Sequence, residues 1–144
     1  MCHIRCDWFR VDFQKDVGRP LVRGAVHMCA NFSPLMAEAI AVRRGLQLAI
    51  EFGLSSFLVE SDALGVINVI SWNLVPCSDM GMVLFDIYCL ANSLHVSSFS
   101  FVPRLANMVA NALAKVALSI LSYLFWIDSC PSDVELLVQE DAPG

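Results

Sequence analysis

Apolar and polar residues alternate along residues 8–14, where Phe9, Val11 and Phe13 interleave with Arg10, Asp12 and Gln14. A period of two predicts a half-buried strand. Residues 15–20 (KDVGRP) are turn chemistry, with Gly18 free to take positive φ. The β-compatible run 21–30 follows, so residues 8–30 are predicted to form a hairpin. The period then changes to 3.6. Ser33-Pro34 supplies an N-cap with proline at the first helical position. Leu35, Ala39, Val42, Leu46, Ala49 and Ile50 mark one helical face, and Gly53 ends the helix.

The short apolar run 56–60 follows a helix and predicts a strand of parallel type. Asp62 is placed to cap a helix over 63–70, Pro76 makes 72–77 a loop, and Ser78 caps a helix over about 79–93. Residues 95–102 (HVSSFSFV) alternate again as a strand, Pro103-Arg104 breaks it, and 107–124 reads as a long apolar helix. The order ββαβααβα predicts one α/β domain over residues 1–124 with a loosely attached tail at 125–144.

Composition narrows the class. Hydrophobic residues make up 57% of the 144 and charged residues 16%, with a mean hydropathy of +0.63, which excludes a disordered chain. Across 108–127 the one charge is Lys115, and the uncharged apolar part, 116–127, is shorter than the ~20 residues of a membrane span. No apolar leader opens the chain. A soluble, intracellular protein is expected, with nucleus and cytoplasm equally open.

Cys2, Cys6, Cys29, Cys77, Cys89 and Cys130 form no CxxC pair and are expected as small buried hydrophobes. Cys2, His3 and Cys6 have donor chemistry for zinc but no second pair at finger spacing. The net charge of −5 is uneven. Residues 1–50 hold seven Lys and Arg against four acids, and residues 51–144 hold two against ten. A tight, sequence-blind nucleic-acid binder would show a broad basic face, so any basic surface lies in the first third.

Two carboxylates stand out by position. Glu38 falls in the first turns of the first helix, and Asp62 at the carboxyl end of a parallel-type strand, where α/β sheets place ligands. Converging, they would suit a hard divalent cation such as Mg²⁺. Both also have ordinary structural roles, Glu38 as a helix-dipole partner and Asp62 as an N-cap. Arg43, Arg44 and Arg104 are candidates for phosphate contacts, and equally for solvated faces.

Four blocks, SPLMAEA (33–39), AVRRGLQLA (41–49), VESD (59–62) and VPRLAN (102–107), closely resemble the ribonuclease-H-like, reverse-transcriptase-like domains abundant in plants, in the family's order, over about residues 8–120. The resemblance implies a ribonuclease-H-like α/β fold, a mixed sheet flanked by helices. It also implies hydrolysis of the RNA strand of RNA–DNA hybrids with Mg²⁺ held by acidic residues. In that chemistry one ion activates the attacking water and another stabilises the leaving oxygen.

Carried over by position, the resemblance makes Glu38 and Asp62 catalytic metal carboxylates and sets Asn107 and Asn111 at the site rim, with Arg43, Arg44 and Arg104 as weaker nucleic-acid contacts. The match is incomplete. The family's first strand, with its Asp, has no counterpart before the hairpin, and Asn111 stands where active enzymes have an acid. The expected fold therefore lacks its central first strand, and the expected hydrolysis is impaired. The alternative is a catalytically inactive nucleic-acid-binding or protein-interaction module on the same scaffold. A missing central strand leaves its neighbours without ladder partners. Instability, strand-completing self-association and substitution by the N-terminal residues are the three expected outcomes.

Overall fold

A computed structural model describes residues 5–7, 10–12, 22–28, 32–71, 77–104 and 124–127, together with single positions at 108, 112, 132 and 136. Its elements run β1 (Arg5–Asp7), β2 (Arg10–Asp12), β3 (Val22–Met28), α1 (Pro34–Glu51), β4 (Leu58–Ser61), α2 (Leu64–Ser71), α3 (Asp79–Leu94), β5 (Ser98–Phe101) and β6 (Leu124–Ile127). They make a mixed α/β fold.

α1 begins where the sequence places it. Ser33 is extended and its hydroxyl accepts the Met36 N–H at 3.2 Å, with Pro34 opening the first turn. The helix closes with the Leu54 N–H donated to the Ala49 carbonyl at 2.8 Å, which requires Gly53 at φ +66. α3 starts on Ser78, whose hydroxyl accepts the Gly81 N–H at 3.3 Å. It ends one residue later than predicted, on a left-handed His95 (φ 53) that does the work usual for glycine, with the Val96 N–H reaching the Ala91 carbonyl at 3.0 Å. His95 is thus an exposed helix cap, not the start of a strand.

The strands differ from a simple hairpin. β1 pairs antiparallel with β3, Arg5 opposite Met28 and Asp7 opposite Val26. β2, separated from β1 by two residues, pairs antiparallel with β4, Arg10 opposite Glu60 and Asp12 opposite Leu58. β4 and β5 run parallel, with Ser61 opposite Phe101. β4 is thus flanked by β5 and, antiparallel, by Arg10–Asp12, which the sequence assigns to the hairpin; of the described residues before Trp8, Arg5–Asp7 pair with β3 and do not stand in for a first strand beside β4. β3 gains a second antiparallel neighbour in β6. That strand opens at Leu124, where the sequence pattern reads as the end of a helix and the start of a tail. The apolar run 116–127 carries no period that separates the two. Most of the predicted helix 107–124 lies outside the described residues.

The core lies between α1, α2, α3 and β4. Leu46, Leu84 and Ile87 are fully enclosed, with Phe57, Val59, Val42 and Val66 beside them. α1 approaches closely because its inner face carries Ala39, Gly45 and Ala49 among the larger side chains. The Tyr88 hydroxyl donates to the Ile70 carbonyl, fastening the end of α2 to α3. Cys77 and Cys89 are exposed, contrary to the expectation of buried cysteines. Cys89 lies on the outer face of α3 with Met82 and Phe85, at helical spacing. Among the described residues, no helix is long and apolar enough to cross a membrane.

Candidate functional site

The turn after β4 is the best-built polar feature among the described residues. Ser61 ends the strand and is only 7% exposed. Its hydroxyl accepts the Ala63 N–H at 3.1 Å, and its carbonyl accepts the Val102 N–H at 2.9 Å. The Ala63 carbonyl in turn accepts the N–H groups of Val66 at 3.0 Å and Ile67 at 3.1 Å, which starts α2. Asp62, half-buried, stands in the middle of this turn. The sequence singles out Asp62 and gives no weight to Ser61. The signal is the pairing of a small hydroxyl residue with an Asp at a strand end, where the hydroxyl can bond two residues ahead.

Glu38 is half-buried one turn beyond the start of α1. Its helix meets α2 at Leu35 and Gly65: a Cβ on Gly65 would sit 3.0 Å from Leu35 Cδ1. Glu38 is three residues on from Leu35, and Asp62 three residues before Gly65. The first turn of α1, just before Glu38, thus meets the first turn of α2, just after Asp62.

The candidate cations fall in different settings. Arg43 Nη1 donates to Asp86 Oδ2 on α3 at 3.0 Å, and its Nε is buried without a hydrogen-bond partner. Arg43 thus braces α1 against α3. Arg44 Nη1 donates to Gln47 Oε1 at 3.1 Å, one turn along its own helix. Arg104 is exposed two residues after Val102, whose N–H bonds Ser61. It therefore emerges from the same end of the β4–β5 ladder as Asp62. Asn107 and Asn111, and the zinc candidates Cys2 and His3, lie outside the described residues.

The donor set is chemically narrow. Among the described residues, no group of three or more His, Cys, Asp and Glu gathers in one place. Two carboxylates fit one Mg²⁺, which is commonly held by one or two carboxylates while water and phosphate oxygens complete its octahedron. They do not by themselves provide for a bridged pair of ions.

A family model described as reverse transcriptase-like matches residues 13–117. No curated protein matches the chain. Among solved structures, RNase H1 from the halophilic archaeon Halobacterium salinarum NRC-1 is similar at 21% identity and a TM-score of 0.56, covering 80% of this chain and 98% of its own. The N-terminal RNase H domain of a Mycobacterium tuberculosis protein, solved as a fusion with maltose-binding protein, is similar at 20% identity and a TM-score of 0.50, covering 81% of this chain and 91% of its own. The shared property is the fold, ribonuclease-H-like.

Proposed function

The chain belongs to the reverse transcriptase-like family, and on that premise we propose that it engages RNA–DNA hybrid and holds one Mg²⁺ between Glu38 and Asp62. Hydrolysis of the RNA strand then proceeds at a residual rate. The observation that supports this reading is the Leu35–Gly65 approach, in which the first turn of α1 meets the first turn of α2, three residues after Asp62. A bound Mg²⁺ supplies there a more acidic water and stabilisation of charge on phosphate oxygens.

The chain's own residues supply the rest. Glu38 and Asp62 provide negative charge and oxygen donors. Arg104, exposed at the same end of the ladder, offers a phosphate contact that fixes register without reading sequence. Arg43, committed to Asp86, contributes less. Two acids, where the family resemblance leads to an expectation of four, weaken the hold on the ion and lower the rate.

Asn111, standing where active members of the family have an acid, favours a second reading, a binding module without hydrolysis. An end-labelled RNA–DNA hybrid incubated with the full chain separates the two. Slow Mg²⁺-dependent cleavage, abolished by both Glu38→Gln and Asp62→Asn, is the expected result. Hybrid retention in a mobility-shift gel with no cleavage, unchanged by either variant, would install the binding module in its place. Failure of the chain to retain hybrid at all would overturn both.

A further inference from the structure

We propose that Ser61 is a positioning residue for the Mg²⁺ site, orienting Asp62 through the two backbone bonds that bracket it; this rests on the reading of Glu38 and Asp62 as metal carboxylates.

The argument starts from burial. A hydroxyl on a residue only 7% exposed is costly unless it is bonded, and an alanine would pack there at no such cost. The Ser61 hydroxyl is bonded, to the N–H of Ala63 at 3.1 Å, one residue beyond Asp62. On the other side of Asp62, the Ser61 carbonyl takes the Val102 N–H at 2.9 Å and ties the turn to the chain leaving β5. Both peptide units flanking the Asp62 Cα are therefore held, one by β5 and one by the serine side chain. With these two bonds the backbone on both sides of Asp62 is held in place. A carboxylate that arrives pre-oriented loses less freedom on taking up a cation.

A structural role alone, as a helix-start bond for α2, makes a different prediction. It would alter stability and leave metal uptake by the folded protein unchanged. Ser97 provides a matched control at the opposite end of the same ladder. Its hydroxyl donates to the Phe57 carbonyl at 3.2 Å, beside the backbone bond from the Ser97 N–H at 2.9 Å.

The test is a Mg²⁺ titration of the full chain, with selectively ¹³C-labelled carboxyl groups followed by NMR under conditions where every variant is folded. Wild type is expected to show saturable shifts at Asp62 and Glu38. Ser61→Ala is expected to raise the Asp62 midpoint about tenfold, the lower end of the effect of groups that support a metal ligand. Ser61→Thr, which keeps the hydroxyl, restores the midpoint, and Ser97→Ala leaves it where wild type has it. A wild-type response with an unaltered midpoint in folded Ser61→Ala overturns the positioning role and leaves the metal reading standing. Absence of any Mg²⁺ response at Asp62 and Glu38 in wild type overturns the metal reading, and this inference with it.

Discussion

Arg43 on α1 and Asp86 on α3 are joined by a single hydrogen-bonded ion pair, Nη1 to Oδ2 at 3.0 Å, while the Arg43 Nε behind it is buried and unpartnered. The side chains are 30% and 48% exposed. The pair itself is therefore largely screened and contributes about 0.5 kcal/mol. Its two ends are not equivalent. Removing Asp86 strands a guanidinium that is already one bond short, whereas removing the guanidinium strands only a carboxylate open to water.

Asp86→Ala is accordingly expected to cost about 1 kcal/mol, the cost of leaving a partly buried polar group without its partner. Arg43→Met, which keeps the apolar stem against the helix, is expected to be within about 0.5 kcal/mol of wild type. Urea unfolding of the two variants measures the asymmetry. Equal losses would show that the charges act only as a symmetric surface pair.

Ser33 sets the first turn of α1, five residues ahead of Glu38. Its hydroxyl accepts the Met36 N–H at 3.2 Å. Ser33→Ala is expected to destabilise by about 1 kcal/mol and Ser33→Gly by only a few tenths, because glycine leaves the end of the helix open to solvent. Thermal unfolding followed by circular dichroism should rank them in that order, and the reverse order would deny the cap.

How far the sequence reaches can be judged on these same residues. The Ser33-Pro34 start and Gly53 stop of α1, and Ser78 at the start of α3, are local signals, and the structure has each of them. The matched family spans nearly the residues the four sequence blocks indicate. What fails to read out is non-local. Nothing in Arg10–Asp12 says that its partner is β4, 46 positions away at Leu58↔Asp12 and 50 at Glu60↔Arg10, because alternation sets a face and not a neighbour. The run at Leu124–Ile127 has no period of its own, so its pairing with β3 decides it as strand. At the site, Asp62 is visible as a charge at a strand end. Ser61 is not, since its importance comes from burial and from Val102, forty-one residues on.

Leu46 tests the core that backs the site. It is 0% exposed and lies in the cluster with Val42, Leu84 and Ile87. Leu46→Ala leaves a cavity between α1 and α3 as well as losing apolar burial, so about 3 kcal/mol of stability is expected to go. A domain with the usual ~5–15 kcal/mol in hand would still fold. A loss below about 1 kcal/mol in urea melts would mean that α1 does not pack on α3 as described.

Gly65 on α2 faces Leu35 on α1, and the sign of Gly65→Ala depends on Leu35. Alanine in place of glycine in a helix restricts the unfolded chain and should stabilise by about 0.4–1 kcal/mol at a compatible backbone. Opposing that, the new Cβ would stand 3.0 Å from Leu35 Cδ1, so the methyl must retreat by a few tenths of an ångström. Leu35 is only half-buried and can turn, but turning it loosens its packing on the core. The two effects should nearly cancel, leaving Gly65→Ala within about 0.5 kcal/mol of wild type. In a Leu35→Ala background the clash is gone and the full gain should appear. Denaturant melts of the four proteins of this double-mutant cycle are therefore expected to give a coupling of about 0.5 kcal/mol or more. Additive effects would place Leu35 and Gly65 out of contact, and would remove the support for the proposed pairing of Glu38 with Asp62.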